Sequence, residues 1–397
     1  MPDVEAESHA RGWVPLLVLL LAAFGVFGLW AGCNAVLLAD LSRVLDLSPG
    51  PLGVALFAGA ASSIAAMASL GWAADRLGRK TFLVGVMCLF GVGIAGLALV
   101  GGFWALVAVM ILVFSSGGLY DVGINAAAVD LEGLSERHLM SFLHAAYSGG
   151  AVLGAIGSGA LLSAGLGYRL VYLSLLLPLA AVALAVAAAH FPGSAAYAGG
   201  SSLVNGEAGT GRRGLYRSGA LLLVAAIAGL GLLSEGQMGS WSGVYLRGTL
   251  DLPALVGGAG VAAFFAAMAL GRLATGLAVA RLGNRRALLG AGLLTALGMS
   301  LALSTTVPAL AVAGFLVVGL GVSGVAPLAY SAGGDLAPGR AGAAVSVVTS
   351  FGYGGFVLGP VLVGGLAEVL GLRAVLGVVA LSGLPGLAIF DLSTKLE

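Results

Sequence analysis

The sequence predicts an all-α integral membrane protein with twelve transmembrane helices arranged as two six-helix pseudo-repeats. Three observations carry the prediction. Hydrophobic residues make up 59% of the 397 residues and charged residues only 9%, where a soluble domain carries about 25% charge. So little charge cannot cover a globule with water-facing groups. The apolar residues gather into runs of about 20, the length that crosses a bilayer as a helix. A charged turn in the first half also returns, weakened, in the second.

Taken in order, the runs predict spans at 13–38, 51–74, 81–100, 104–128, 139–163, 168–189, 217–241, 253–279, 286–304, 308–331, 342–366 and 372–392. The first is too long for the apolar core of a cleavable signal and reads as the first span. Residues 191–216, rich in Gly and Ser, read as a flexible linker. The expected organisation is a six-helix bundle over 1–190, a cytoplasmic linker over 191–216 and a second six-helix bundle over 217–397.

Lys and Arg set the expected orientation. One face of this topology holds 13 of them, among them Arg76, Arg79, Lys80, Arg137, Arg212, Arg213, Arg281, Arg285 and Arg286. The other holds 4: Arg43, Arg169, Arg247 and Arg373. The bias puts both termini, the linker and both charged turns in the cytoplasm of a bacterial inner-membrane protein.

Composition narrows the partners and the chemistry. The net charge of +1 gives no reason to expect a nucleic-acid partner. Cys33 and Cys88 fall inside apolar runs, with no disulfide or metal spacing. Ser–His–Asp, zinc and phosphate-binding patterns are missing from the sequence, so no enzyme, cofactor or metal is expected. Gly319-Leu-Gly321-Val-Ser-Gly324 matches a dinucleotide pattern. It lies inside an apolar run, where small residues let helices approach closely.

The turn itself is Gly71-xxx-Asp75-Arg76-x-Gly78-Arg79-Lys80, and its second copy is Gly276-xxx-Ala280-Arg281-x-Gly283-x-Arg285, 205 residues later. The same offset relates Gly149-Gly150-Ala-Val152-Leu153-Gly154 to Gly354-Gly355-Phe-Val357-Leu358-Gly359. Gly167 and Arg169 match Gly371 and Arg373 at offset 204. Matches at nearly one offset indicate parallel repeats about an axis along the membrane normal.

The first turn resembles the signature loop between helices 2 and 3 of the major facilitator superfamily, and the second resembles its degenerate partner between helices 8 and 9. The resemblance implies secondary active transport of a small solute by alternating access, through a mid-depth cavity between the halves, by a monomer in the bilayer. It also implies a lock of the outward-open state built from the turns. Asp75 would approach the end of a helix from the opposite half, and Arg76 would reach Asp130 or Glu132. Ala280 replaces Asp75 in the second copy, which makes the lock one-sided.

Ionisable groups inside spans are costly and invite functional roles. Four stand out: Asp121, His144, Glu235 and Arg272. Asp121, His144 and Arg272 lie one to two turns from the cytoplasmic ends of their predicted spans. Spans 5 and 8 meet across the halves in the resembled family, so Asp121, with or without His144, is expected to pair with Arg272 as a proton-sensitive gate. The alternative is that Asp121 and Asn125, four apart, hydrogen-bond only to each other. Glu235, Gln237 and Trp241, read as lying near the outer end of span 7, suit a polyol or amine site; the alternative is an interfacial tryptophan with a glutamate reaching water. Asn34, Asn125, Tyr147 and Tyr353 are further polar candidates for the solute. Pro327 and Pro360 read as helix bends.

Span 4 carries no Arg or Lys, unlike most drug/proton antiporters. Gly117-xxx-Asp121-xxx-Asn125, His144-xx-Tyr147 and Glu235-xxxxx-Trp241 together look similar to a bacterial branch near the fucose permeases and the membrane proteins of rhizopine clusters. That implies a sugar or cyclitol-like solute moved with protons. Gly355-xxx-Gly359-Pro360 resembles an antiporter motif and keeps export of drugs or metabolites as the alternative. A sensor that has lost transport is the third reading.

Overall fold

The computed structural model describes residues 13–137, 139–189, 191, 215, 217–337 and 340–381, and every regular element among them is helical. Spans 1 to 5 are Val14–Val44, Pro49–Leu70, Arg79–Leu99, Phe103–Ser135 and Met140–Ser163. Span 6 is Tyr168–Ser174 continuing as Leu176–Ala188, and span 7 is Gly219–Val244, extended by a π-helical turn at Tyr245–Thr249. Spans 8 and 9 form one run, Ala254–Ser304, and spans 10 and 11 are Pro308–Asp335 and Ala341–Leu370. Span 12 begins as Leu372–Leu381. The rest of predicted span 12 and nearly all of the predicted linker lie outside the described residues.

Local chemistry explains these boundaries. Spans 1, 2 and 10 each place a proline in their first turn, where its missing N–H would have no helical partner anyway. Span 6 breaks at Leu175, between its two segments. Pro178 stands three residues on and cannot donate to the Ser174 carbonyl. The run Ala254–Ser304 is 51 residues long and breaks at Gly283, where φ is 78°. Gly78 has φ 79° at the matching point of the first half. Asp46 and Asp251, also 205 apart, have φ 49° and 51°. The two halves therefore turn in the same way at the same places.

The repeated glycine motif has a packing cause. A Cβ on Gly150 would lie 2.0 Å from the Gly25 carbonyl oxygen, and one on Gly355 would lie 2.0 Å from that of Gly229. Spans 1 and 5 thus touch backbone to backbone, and spans 7 and 11 repeat the contact.

The halves meet along spans 1 and 7, 2 and 11, and 5 and 8. Contact is closest toward the end away from the charged turns, called here the far end. Gly243 of span 7 sits against the Ala35 carbonyl, Gly258 of span 8 against that of Ala155, and Gly53 of span 2 against Pro360 and Gly364 of span 11. Nearer the turns, a Cβ on Gly149 of span 5 or Gly276 of span 8 would meet nothing.

Several helices outrun the apolar runs that predicted them. Span 4 continues to Ser135 rather than 128, and span 1 to Val44 rather than 38. A helix leaving the bilayer needs no apolar residues, and these extra turns carry charges that find partners. Asp121 consequently lies near the middle of the span 4 helix rather than one to two turns from its end.

Candidate functional site

A polar cluster sits between the halves on the open side of the far-end closure. Span 7 brings Glu235 and span 8 brings Arg272, whose Nη2 donates to Glu235 Oε1 at 2.9 Å. The pair is not sealed: the side chains are 42% exposed for Arg272 and 27% for Glu235. Span 4 brings Asp121, which accepts from Asn125 Nδ2 at 2.9 Å on Oδ1 and at 2.9 Å on its backbone oxygen. Span 5 brings His144 and Tyr147. Tyr147 lies close enough to Asp121, Glu235 and Arg272 for their charges to act on its hydroxyl. His144 is similarly close to Arg272 and packs edge-on to Phe24, with ring centroids 5.3 Å apart. Span 11 brings Tyr353, within range of Asp121 and Glu235, and span 10 brings Tyr330, within range of Glu235 and Tyr353.

A narrow cleft continues beyond this cluster between the halves. Leu56, Ala60 and Phe114 line it from the first half, and Gly236, Ser240, Phe356 and Pro360 from the second. The site therefore combines charged and phenolic groups with an apolar floor.

Six of the predicted residues are brought together here with Asn125: Asp121, His144, Tyr147, Glu235, Arg272 and Tyr353. Their pairing differs from expectation. Arg272 pairs with Glu235 inside the second half, not with Asp121 across the halves, and Asp121 is held by Asn125. Helix rotation decides this, since spans 7 and 8 are neighbours that face each other at these two positions.

The remaining solute candidates lie elsewhere. Asn34 is 6% exposed and accepts from Tyr172 Oη at 3.0 Å, a packing bond inside the first half. Gln237 and Trp241 are fully buried, and neither the Gln237 amide nor the Trp241 indole N–H has a partner among the described residues. Gln237 packs on Gly359, where a Cβ would lie 1.9 Å from its Nε2. Glu235 stands mid-span rather than near the outer end, because span 7 runs on past Trp241 to Thr249. Trp241 is accordingly no interfacial anchor.

The turn also departs from expectation. Arg79, not Arg76, reaches Asp130, with Nε donating to Oδ2 at 2.8 Å, and its Nη1 holds Asp75 at 2.5 Å. Asp75 therefore pairs within its own turn rather than with a helix of the other half. Arg76 lies over the Trp72 ring, 4.6 Å from its centroid. Glu132 accepts from the Leu139 and Met140 amides at 2.5 and 2.9 Å. It caps the start of span 5, where a carboxylate is favoured. Lys80 donates to the Ala189 carbonyl at 3.0 Å. Gly71, Gly78 and Gly283 shape the turns. Arg281 and Arg285 flank the second, and Arg281 is exposed.

The far end holds residues that hydropathy alone marks as loop charges. Arg247 of span 7 forks onto Asp40 of span 1, with Nη2 donating to Oδ1 at 2.8 Å and Nη1 bonding Oδ2. Arg43 donates to the Arg247 carbonyl oxygen. Glu368 of span 11 accepts from Ser48 Oγ and from the Gly50 amide at 3.0 Å, at the start of span 2. The sequence holds one signal of this cluster: Arg43 and Arg247 stand 204 apart, at the repeat offset.

The family model of the major facilitator superfamily matches residues 19–262 and 254–395. The chain belongs to the major facilitator superfamily.

Curated relatives of this facilitator agree. An uncharacterized MFS-type transporter of Yersinia pestis is 30% identical over 363 residues, covering 90% of this chain and 91% of that protein. The membrane protein MosC of Rhizobium meliloti is 26% identical over 394 residues, covering 96% and 93%. Among solved structures, the nucleoside transporter NupG superposes with a TM-score of 0.77 at 16% identity, covering 95% of this chain and 99% of that one. A bacterial homolog of the human lysosomal transporter Spinster, in an inward-facing and unoccupied conformation, gives 0.72 at 17% identity over 97% of each chain. These two share the fold. The facilitator is thus a multi-pass membrane protein of a transporter superfamily, and its described residues fit the twelve-span, two-repeat fold through the start of span 12.

Proposed function

We propose that the protein is a secondary active transporter moving a small polar solute, sugar- or cyclitol-like, with protons across a bacterial inner membrane. The observation that carries this reading is the Glu235–Arg272 pair. It is left partly open between the halves, beside Asp121, Asn125 and three tyrosines. An ion pair in reach of water can exchange hydrogen bonds with hydroxyls of a solute, and tyrosine rings offer apolar faces to a sugar ring. Asp121 is the carboxylate of this cluster without a cationic partner, and is the group assigned to carry the proton. Gln237 and Trp241, buried and unpartnered here, are assigned to the solute contact of the opposite state, in which the far end opens and the span 7–span 11 packing changes.

The excess of Lys and Arg at the turn end supports placing that end, and both termini, in the cytoplasm. The structure then corresponds to a state closed to the outside. The protein acts as a monomer in this reading, with the halves at 1–190 and 217–397 moving about the site.

The apolar floor made by Phe114, Phe356 and Pro360 favours a second reading, export of an amphiphilic drug or metabolite. Proteoliposome transport separates the two. Uptake of a monosaccharide or cyclitol that is driven by an inward proton gradient, and lost in Asp121→Asn, is the expected result. Gradient-driven expulsion of a lipophilic cation, with no sugar or cyclitol flux, would replace it with the export reading.

A further inference from the structure

We propose that Asp40, Arg43 and Arg247 form the far-end gate of the transport cycle, with Asp40 holding the Arg247 side chain and the Arg247 carbonyl holding Arg43. The inference rests on the transport reading, but its test needs no solute.

Three features build the gate. First, the π-helical turn Tyr245–Thr249 at the end of span 7 carries Arg247. Such a turn inserts an extra residue into the helix and re-aims the side chains beyond it. The Arg247 side chain points into the seam with span 1 and is only 7% exposed. Gly257 of span 8 is packed over it, where a Cβ would come within 2.5 Å of Arg247 Cγ. Second, both terminal nitrogens of Arg247 engage Asp40 across the halves, and Nη1 also donates to the Val36 carbonyl at 3.2 Å. This fork geometry is the strongest form of Arg–carboxylate pair. Third, Arg43 stands three residues from Asp40 on span 1 and donates to the Arg247 carbonyl oxygen. The carboxylate that it pairs with, Asp251, is 3.9 Å away and 98% exposed, so water screens it.

These contacts set the charge balance of the seam. Two guanidinium groups stand at the seam, and its one partly buried acid, Asp40, holds that of Arg247. Without Asp40, Arg247 would be a buried cation with no carboxylate, a strongly unfavourable state. Arg43 would add like-charge repulsion about one helical turn away. Spans 1 and 7 can relieve both by parting and letting water in, which opens the far end. The contact between Glu368 and the start of span 2 is exposed and mostly between neutral donors and one acid. It is a weaker second latch.

The test is labelling of whole cells with a membrane-impermeant maleimide. The reporter is Ser240→Cys, in the cleft between the halves, in a Cys88→Ser background; Cys33 is buried. The parent is expected to label slowly and Asp40→Asn on the order of tenfold faster, the ratio for ~1.4 kcal/mol. Arg43→Gln added to Asp40→Asn is expected to slow labelling again, because the repulsion is gone. The exchange Asp40→Arg with Arg247→Asp is expected to restore protection. Asn34→Ala, which breaks a buried bond away from the gate, serves as the control for general loosening. Parent-like labelling in Asp40→Asn, or an equal rise in Asn34→Ala, would overturn the gate alone. A parent that labels rapidly from outside would overturn the assigned topology and the gate with it.

Discussion

Arg272 Nη2 lies 2.9 Å from Glu235 Oε1, joining spans 7 and 8 inside one half of the molecule. Both side chains keep contact with the open space between the halves. A pair of this kind adds little to stability, about 0–1 kcal/mol where solvent screens it. Purified Glu235→Gln is therefore expected to melt within about 2 °C of the parent, on the scale that links about 1 kcal/mol to a few degrees. A fall of about ten degrees on that scale would mean that the pair holds the fold.

The glycine motif makes a paired prediction. Gly355→Ala forces a Cβ to within 2.0 Å of the Gly229 carbonyl, a backbone atom that cannot turn away, whereas a Cβ on the adjacent Gly354 meets nothing. Overpacking of this sort costs about 1–3 kcal/mol. Thermal melts are expected to show clear destabilisation for Gly355→Ala and none for Gly354→Ala. Gly150→Ala and Gly149→Ala should repeat the contrast in the first half.

At the charged turn, the two arginines are not equivalent. Arg79 joins Asp75 and Asp130, while Arg76 rests on the exposed Trp72 ring. Arg79→Ala leaves Asp130, whose side chain is only 17% exposed, without its cation. Arg79→Ala is expected to lower the melting temperature and to impair transport; Arg76→Ala is expected to do neither beyond about 1 kcal/mol, the ceiling for an exposed cation–π contact. Equal effects would contradict the assignment.

Tyr172 and Asn34 share a buried hydrogen bond inside the first half. Tyr172→Phe removes the donor and is expected to reduce stability by about 1 kcal/mol with transport unchanged. Loss of flux at unchanged stability would return Asn34 to the solute site.

Much of the fold was legible because a bilayer imposes a simple rule on sequence. Apolar runs of fixed length showed the spans, and the turn at Asp75 with its copy at Ala280 showed the duplication. The ends of helices were less legible. Span 4 runs past Ala128 on residues that are polar and paired, where hydropathy says nothing. In the candidate site, the residue types were right and the partners were not. Which acid Arg272 meets depends on how spans 7 and 8 rotate against each other, and spacing along one helix carries no such information. The Asp40–Arg247 pair was hidden for the same reason, since Arg247 reads as a loop charge until the π-helical turn aims it at span 1.

The solute is proposed to bind at Glu235 and Arg272, between the halves. The most direct measurement is a thermal-shift titration of the purified protein with monosaccharides and cyclitols, beside lipophilic cations, on the parent and on Glu235→Gln. A ligand that binds the folded state raises its melting temperature by mass action. A saturable shift with a sugar or cyclitol is expected in the parent, and its loss in Glu235→Gln. A shift of equal size in both proteins, or one produced by lipophilic cations alone, would contradict it.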